Sequence, residues 1–276
     1  MMTIYKLLGI DKHQIIKLHK TYDHSVIIKN DQNVLASGAK NFDETIGGGF
    51  YRGKKYLIFG ANKTGKTQLC HQLCVQAFIQ FSKSTKNSEI NNKQFVFYFD
   101  TENTFRPERI KELIGTYNVE INKMLKNILV SKIMSNSAFL LSLNELENLL
   151  GKNSINVLII DSINNYYNSD LANRNVTNKK AKEIFLKILT KINELSSYHN
   201  LIIVATAQVT SNFNRKTPLK VLPIGNHILN HFFSEYIYLD YKEHDKRYVQ
   251  LVNSLNLPEK RLLYKITSSG IQDHKI

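Results

Sequence analysis

The residues best equipped for chemistry in this chain run Gly60-Ala61-Asn62-Lys63-Thr64-Gly65-Lys66-Thr67, with Gln68 directly after. They complete the pattern G-x-x-x-x-G-K-[ST]. Glycines let a backbone wrap closely around a phosphate, so that successive N–H groups point at its oxygens. A helix opening near Thr67 would add the positive end of its dipole. Lys66 would neutralise the outer phosphates, and the Thr67 hydroxyl would hold Mg²⁺. A glycine-rich turn with a solvated lysine needs neither flank, yet both are present. Tyr56-Leu57-Ile58-Phe59 reads as a buried strand, and Thr67 to about Phe81 reads as a helix.

Three further residues stand at expected strand ends, where ligands of α/β sheets gather. Asp161 closes Val157-Leu158-Ile159-Ile160 and suits the metal site, although an acid there can also cap a turn. Glu102 lies two residues past the strand Gln94 to Asp100; a carboxylate there can orient or deprotonate an attacking water. Its bland alternative is a surface glutamate. Gln208 ends the strand Leu201 to Thr206, and its amide can sense a γ-phosphate and report to the segment that follows.

These residues need a sheet to position them, and the chain provides its pattern. Continuously apolar runs alternate with helical stretches: Pro107 to about Tyr117, Ile128 to Ile133, Ser137 to Leu150, then Lys179 to His199. Runs apolar on both faces imply a mostly parallel sheet covered by helices. Asn226 to Phe233 reads as a short helix. Glu235 to Tyr241, Arg247 to Asn253 and Leu262 to Ile266 follow closely enough to form an antiparallel C-terminal extension. Residues 1–34 read as an arm or short helix, and residues 35–276 as the core.

The chain has 276 residues and a formal net charge of +14, which favours a polyanionic partner. Two loops fit that partner. Asp170 to Lys182 carries Arg174, Lys179, Lys180 and Lys182; Val209 to Leu222 carries Arg215, Lys216 and Lys220 with Phe213. Basic, asparagine-rich loops suit phosphate-backbone contact, and a solvated surface loop is the alternative. Cys70 and Cys74, one helical turn apart, read as core residues of a reducing compartment. His227 and His231 are four apart without an evident third ligand, which argues against zinc. No apolar stretch is long enough for a membrane span and the first residues do not read as a secretory signal, so a cytoplasmic protein is expected.

From about Leu35 to Asp273 the chain resembles the RecA-like recombinases, in particular the archaeal RadA branch. The resemblance rests on Gly65 to His71, on Asp100-Thr101-Glu102-Asn103-Thr104-Phe105-Arg106-Pro107-Glu108-Arg109, and on Leu158 to Ser162. Gln208-Val209, Pro223-Ile224-Gly225 and Leu257-Pro258-Glu259 extend it. It implies a RecA-like P-loop ATPase core that uses ATP and Mg²⁺. Glu102 then resembles the catalytic glutamate, Asp161 the Mg²⁺-site acid and Gln208 the γ-phosphate sensor. Arg109 resembles a residue stacking on adenine. His231 resembles an interface histidine facing the neighbouring subunit's ATP, and Pro258 belongs to a cap that closes over it.

The resemblance implies a DNA-dependent ATPase of homologous recombination and DNA repair. Its partners would be single-stranded DNA, or also double-stranded DNA, together with itself or a full-length RadA-type recombinase. The chain departs from the pattern at several points. Residues 1–34 are too short for the family's N-terminal helical domain, and no convincing Phe-x-x-Ala hook is found. Asn253 stands where the cap has an acid, Leu255 where it has proline, and Asn226 where a glycine is usual. These departures favour a RadB-like accessory paralogue. A self-sufficient strand-exchange recombinase remains open, as does a RecA-like ATPase of the circadian-clock or replicative-helicase type.

Overall fold

A computed structural model describes residues 33–83, 94–115, 117, 119–150, 155–213, 218–243 and 246–274. Of the expected arm, residues 1–32 lie outside the described residues. Strand β1 (Val34–Leu35), helix α1 (Lys40–Thr45) and strand β2 (Phe50–Tyr51) lead into β3 (Lys55–Gly60). Then follow α2 (Lys66–Ser82), β4 (Val96–Asp100), α3 (Pro107–Ile114), α4 (Ile121–Leu125), β5 (Ile128–Lys132) and α5 (Asn136–Leu150). The chain continues through β6 (Val157–Asp161), α6 (Asn165–Ala172), α7 (Asn178–His199) and β7 (Ile202–Ala207). After β8 (Val209–Ser211), β9 (Val221–Pro223) and α8 (Asn226–Leu229) come β10 (Glu235–Glu243), β11 (Lys246–Asn253), β12 (Lys260–Thr267) and β13 (Gly270–Asp273).

The expected sheet is present. Nine strands lie in the order β13-β12-β11-β10-β3-β7-β6-β4-β5. Pairings from β10 through β3, β7, β6, β4 and β5 are parallel, and β10 to β13 form the antiparallel extension. Strand alternation sends Tyr56 and Ile58 to the core under α2 and α3, and Leu57 and Phe59 to the core under α5 and α7. Both faces of β3 are therefore dry, as its unbroken apolar run requires. Helix α7 buries Phe185, Ile188, Leu189, Ile192 and Leu195 along one stripe.

Three stretches differ from the sequence expectation. The segment Asp170 to Lys182 is not a loop throughout. Asp170 belongs to α6, only Asn173 to Thr177 is irregular, and Lys179, Lys180 and Lys182 stand in the first turns of α7. Thr177 caps that helix by accepting a hydrogen bond from the Lys180 N–H, a cap that the lysine run obscures. The segment after Gln208 begins and ends as an antiparallel ribbon, with Val209, Thr210 and Ser211 opposite Pro223, Leu222 and Val221. The helix expected over Asn226 to Phe233 has only four residues.

Gly60 shows how tightly the sheet sets the phosphate loop. A Cβ there would lie 2.0 Å from the Leu239 carbonyl oxygen of β10, a backbone atom that cannot yield. Gly60→Ala is expected to lower stability by more than about 2 kcal/mol. Denaturant unfolding with an unchanged midpoint would contradict the close strand contact.

Candidate nucleotide and nucleic-acid site

The carboxyl ends of β3, β7, β6 and β4 lie side by side, with Phe59 opposite Ala207 and Asp100 opposite Asp161. Each end delivers one part of the site. The loop after β3 turns at Gly65, whose φ of 103° is left-handed and whose Cβ would meet Ile266 at 2.6 Å. Helix α2 opens with Lys66, Thr67 and Gln68, so its free N–H groups face the same space.

Lys66 Nζ folds back over this loop and donates to the Gly60 and Ala61 carbonyls at 2.9 and 3.1 Å. Burial lowers the pKa of the ammonium, while nearby Asp161 and Glu102 act in the opposite direction. Among the described residues, the hydrogen-bond donors to the Asp161 side chain, 2% exposed, are hydroxyls. Its Oδ2 accepts from Thr67 Oγ1 at 2.8 Å, Tyr98 OH at 3.0 Å and Thr104 Oγ1 at 3.3 Å, and its Oδ1 accepts from Thr206 Oγ1. The Thr67 hydroxyl beside a buried carboxylate is a hard-oxygen pair of the kind Mg²⁺ selects. The residues thus fit the ion.

Glu102 and Gln208 meet. Gln208 Nε2 donates to Glu102 Oε1 at 3.0 Å, and Ser162 Oγ donates to the same oxygen at 2.6 Å. Both residues line a cavity of about 1150 Å³ with Gly60 to Lys63, Gly65 to Gln68 and Asp161. That volume suits a nucleotide with room to spare. Thr64 is fully buried below it and does not line it.

Other expected residues stand elsewhere. Arg109 lies outside the cavity lining, its guanidinium donating to Gln68 Oε1 at 2.6 Å and to the Thr267 and Ser268 carbonyls at 3.0 and 2.7 Å. These in-plane bonds leave stacking on a guanidinium face geometrically compatible. His231 and Pro258 are exposed and line no part of this cavity. Arg174, Lys179 and Lys180 are exposed around the start of α7. Lys220 is an ion-pair member: its Nζ lies 3.0 Å from Asp240 Oδ2, which ties the ribbon to β10. Arg215 and Lys216 lie outside the described residues. Cys70 and Cys74 are buried and unpaired by any disulfide, as expected of core residues.

Sequence reasoning missed five contributors. Arg247 lines the cavity from β11, its guanidinium 5.1 Å from the centre of the Tyr241 ring. Asn164, Asn165 and Asn168 surround Gln208. The buried Asn164 side chain accepts from the Gln208 N–H at 2.8 Å and donates to the Gln208 and Ile224 carbonyls, both at 2.9 Å. The run Asn164-Asn165 and then Asn168 was visible, but nothing local distinguishes it from a polar loop. His71 joins two of the family-like stretches. Its Nδ1 bonds the Thr67 carbonyl at 2.8 Å, its Nε2 accepts the Arg106 N–H at 3.0 Å, and burial lowers its pKa.

The Rad51 family matches residues 29–274. The chain belongs to the Rad51 family. It is similar to the meiotic recombination protein DLH1 of Candida albicans, 30% identical over 243 residues, 87% of this chain and 73% of that protein. It is also similar to the DNA repair and recombination protein RadA of Methanococcus maripaludis strain C5, 28% identical over 255 residues, 90% of this chain and 79% of that protein. The resemblance to RecA-like recombinases thus holds at the family level, and the nine-stranded sheet is that of a RecA-like core. No helix among the described residues is long and apolar enough to cross a membrane.

Asn164→Ala is expected to remove the side-chain partner of the Gln208 N–H and the Ile224 carbonyl, the Gln208 carbonyl keeping the Ile224 N–H, and to cost about 2–4 kcal/mol. Thermal unfolding checks this, and a loss below about 1 kcal/mol would contradict the role given to Asn164.

Proposed function

We propose that the protein is an ATP-dependent, DNA-binding member of the homologous recombination and repair machinery, and that it hydrolyses ATP. The observation that carries this reading is the Glu102–Gln208 pair, set into the wall of the cavity that also contains Lys66, Thr67 and Asp161. The phosphate loop binds the triphosphate through backbone N–H groups, and Lys66 leaves the Gly60 and Ala61 carbonyls to face its outer oxygens. Mg²⁺, when held by Thr67 with Asp161 behind it, supplies positive charge to the β- and γ-phosphates. Glu102 orients a water in line with the γ-phosphorus and takes its proton as the new P–O bond forms and ADP leaves. Gln208 positions that carboxylate and stands within reach of the same phosphate. Arg109 stacks on adenine by one guanidinium face. His231 and Pro258, which do not line this cavity, serve the nucleotide of a neighbouring protomer.

Arg174, Lys179 and Lys180 contact the DNA backbone, joined by Arg215 and Lys216 of the second segment. Their contribution is electrostatic and weakens with salt. Lys220 acts differently, because its charge already answers Asp240. The protein works as an accessory paralogue beside a full-length recombinase. Support comes from the cap, where Asn253 replaces an acid and Leu255, 81% exposed, replaces a proline. Electron microscopy with single-stranded DNA and ATP tests this assignment: short or no assemblies are expected, and long regular helical filaments would overturn it.

Glu102→Gln is expected to lower kcat at least a hundredfold with ATP affinity retained, and Lys66→Ala to abolish ATP-dependent behaviour with the fold intact. Parent-rate hydrolysis by either variant would sink the mechanism. Lys179→Ala is expected to reduce the salt dependence of oligonucleotide binding by about one counterion. An unchanged slope would remove that residue from the DNA site.

A further inference from the structure

Helix α6 stands between the two halves of the proposed activity. Its first residue, Asn165, follows the buried Asn164, and two residues beyond its last is Arg174. The Gln208 side chain is bonded to two positions of this helix, one turn apart. Gln208 Nε2 donates to Asn165 Oδ1 at 3.0 Å, and Gln208 Oε1 accepts from Asn168 Nδ2 at 3.2 Å. Asn165 Nδ2 also donates to the Thr101 carbonyl at 2.6 Å, one residue before Glu102. The first turn of α6 therefore holds both members of the Glu102–Gln208 pair.

A glutamine amide has two N–H bonds. In Gln208 one serves Glu102 and the other serves Asn165. A phosphate oxygen that takes an N–H from Gln208 must take it from one of those partners. Removal from Glu102 frees the carboxylate, and removal from Asn165 loosens the first turn of α6. The far side of the helix is anchored independently. Tyr166 OH donates to the Ile133 carbonyl at 2.8 Å, Tyr167 stacks on Phe185 with ring centres 4.3 Å apart, and Asp170 Oδ2 accepts from Asn136 Nδ2 at 2.6 Å. A helix pinned along one side and released on the other can pivot about the pinned side, and Arg174 follows its last turn.

We propose that Asn165 and Asn168 are positioning residues for Gln208, making that one side chain a junction between the triphosphate site and the segment that carries Arg174. Gln208 is already joined through the chain to the ribbon beginning at Val209. Through the two asparagines it also commands the segment that carries Arg174, so one γ-phosphate contact reaches both. This rests on the reading that the cavity takes ATP and that Arg174 meets DNA.

The test uses the 276-residue chain with Mg²⁺ and either ATPγS or ADP, nucleotide binding being measured by calorimetry in the same samples. Backbone hydrogen exchange is followed over residues 165–174. The affinity for a fluorescent oligo-dT is measured at nucleotide concentrations saturating for each variant. In the parent, ATPγS is expected to change exchange in α6 where ADP does not, and to tighten oligo-dT binding about tenfold relative to ADP. In Asn165→Ala the ratio is expected to fall to about twofold and the exchange response to vanish. Asn168→Asp, which keeps the side-chain size but turns an acceptor towards Gln208 Oε1, is expected to do the same. Bound ATPγS with unaltered α6 exchange in the parent overturns the proposal alone, as does full coupling in a folded variant. No ATPγS binding in the parent overturns both the proposal and the function beneath it. A failure of either variant to fold leaves the parent exchange experiment decisive.

Discussion

The buried Asp161 carboxylate is the constraint around which the molecule is assembled. An ionised carboxylate out of water is tolerable only when its oxygens are hydrogen-bonded. Here the donors come from four separate pieces of chain: Thr67 on α2, Tyr98 on β4, Thr104 in the segment before α3 and Thr206 on β7. The acid thereby fixes the helix that follows the phosphate loop relative to its neighbouring strand ends. Tyr98 is itself fully buried, so its hydroxyl needs this acceptor as much as the acid needs the donor. The site is rigid because each partner satisfies another.

The antiparallel extension completes the bracing from the other side. Tyr264 on β12 donates to the Thr64 carbonyl, and Tyr241 on β10 donates to the Asn62 carbonyl at 3.1 Å. Both bonds reach into the phosphate loop from nearly two hundred residues away. Arg247 covers Tyr241 and faces the cavity, and the Lys220–Asp240 pair ties the ribbon to the same strand. Burial alone would raise the Asp240 pKa, but hydrogen bonds from Lys220, the Tyr241 N–H and Tyr248 bring it below the usual carboxylate range. The glycine-rich loop after β3 and the ribbon of β8 and β9 are thus braced by the same antiparallel extension.

Much of this was legible in the sequence because the signals are local. The apolar runs around Ile58, Phe99, Ile160 and Val204 needed no partner to be read as strands, and the glycine–lysine–threonine spacing carries its own chemistry. Glu102, Asp161 and Gln208 were found because strand ends in a parallel sheet converge. Helix α6 and the asparagines around Gln208 were not legible. Residues 165–172 lack a long apolar stripe; the helix forms because Tyr167 finds Phe185 and Asn164 finds two carbonyls, contacts set by the tertiary fold. The pairing of Lys220 was hidden for the same reason. A basic residue in a ribbon looks available until the neighbouring strand places Asp240 beside it. Arg247 depends on the register of β10 and β11, which no local pattern announces.

In the proposed function the triphosphate and DNA bind at separate side chains and communicate through Gln208 and the asparagines around it. Binding linkage is reciprocal, so its most direct measure is nucleotide affinity with and without saturating single-stranded oligonucleotide. The Glu102→Gln variant allows that measurement without turnover. The account predicts that the oligonucleotide tightens ATP binding about tenfold and leaves ADP binding within about twofold. Equal ATP affinity in the presence and absence of the oligonucleotide would contradict it.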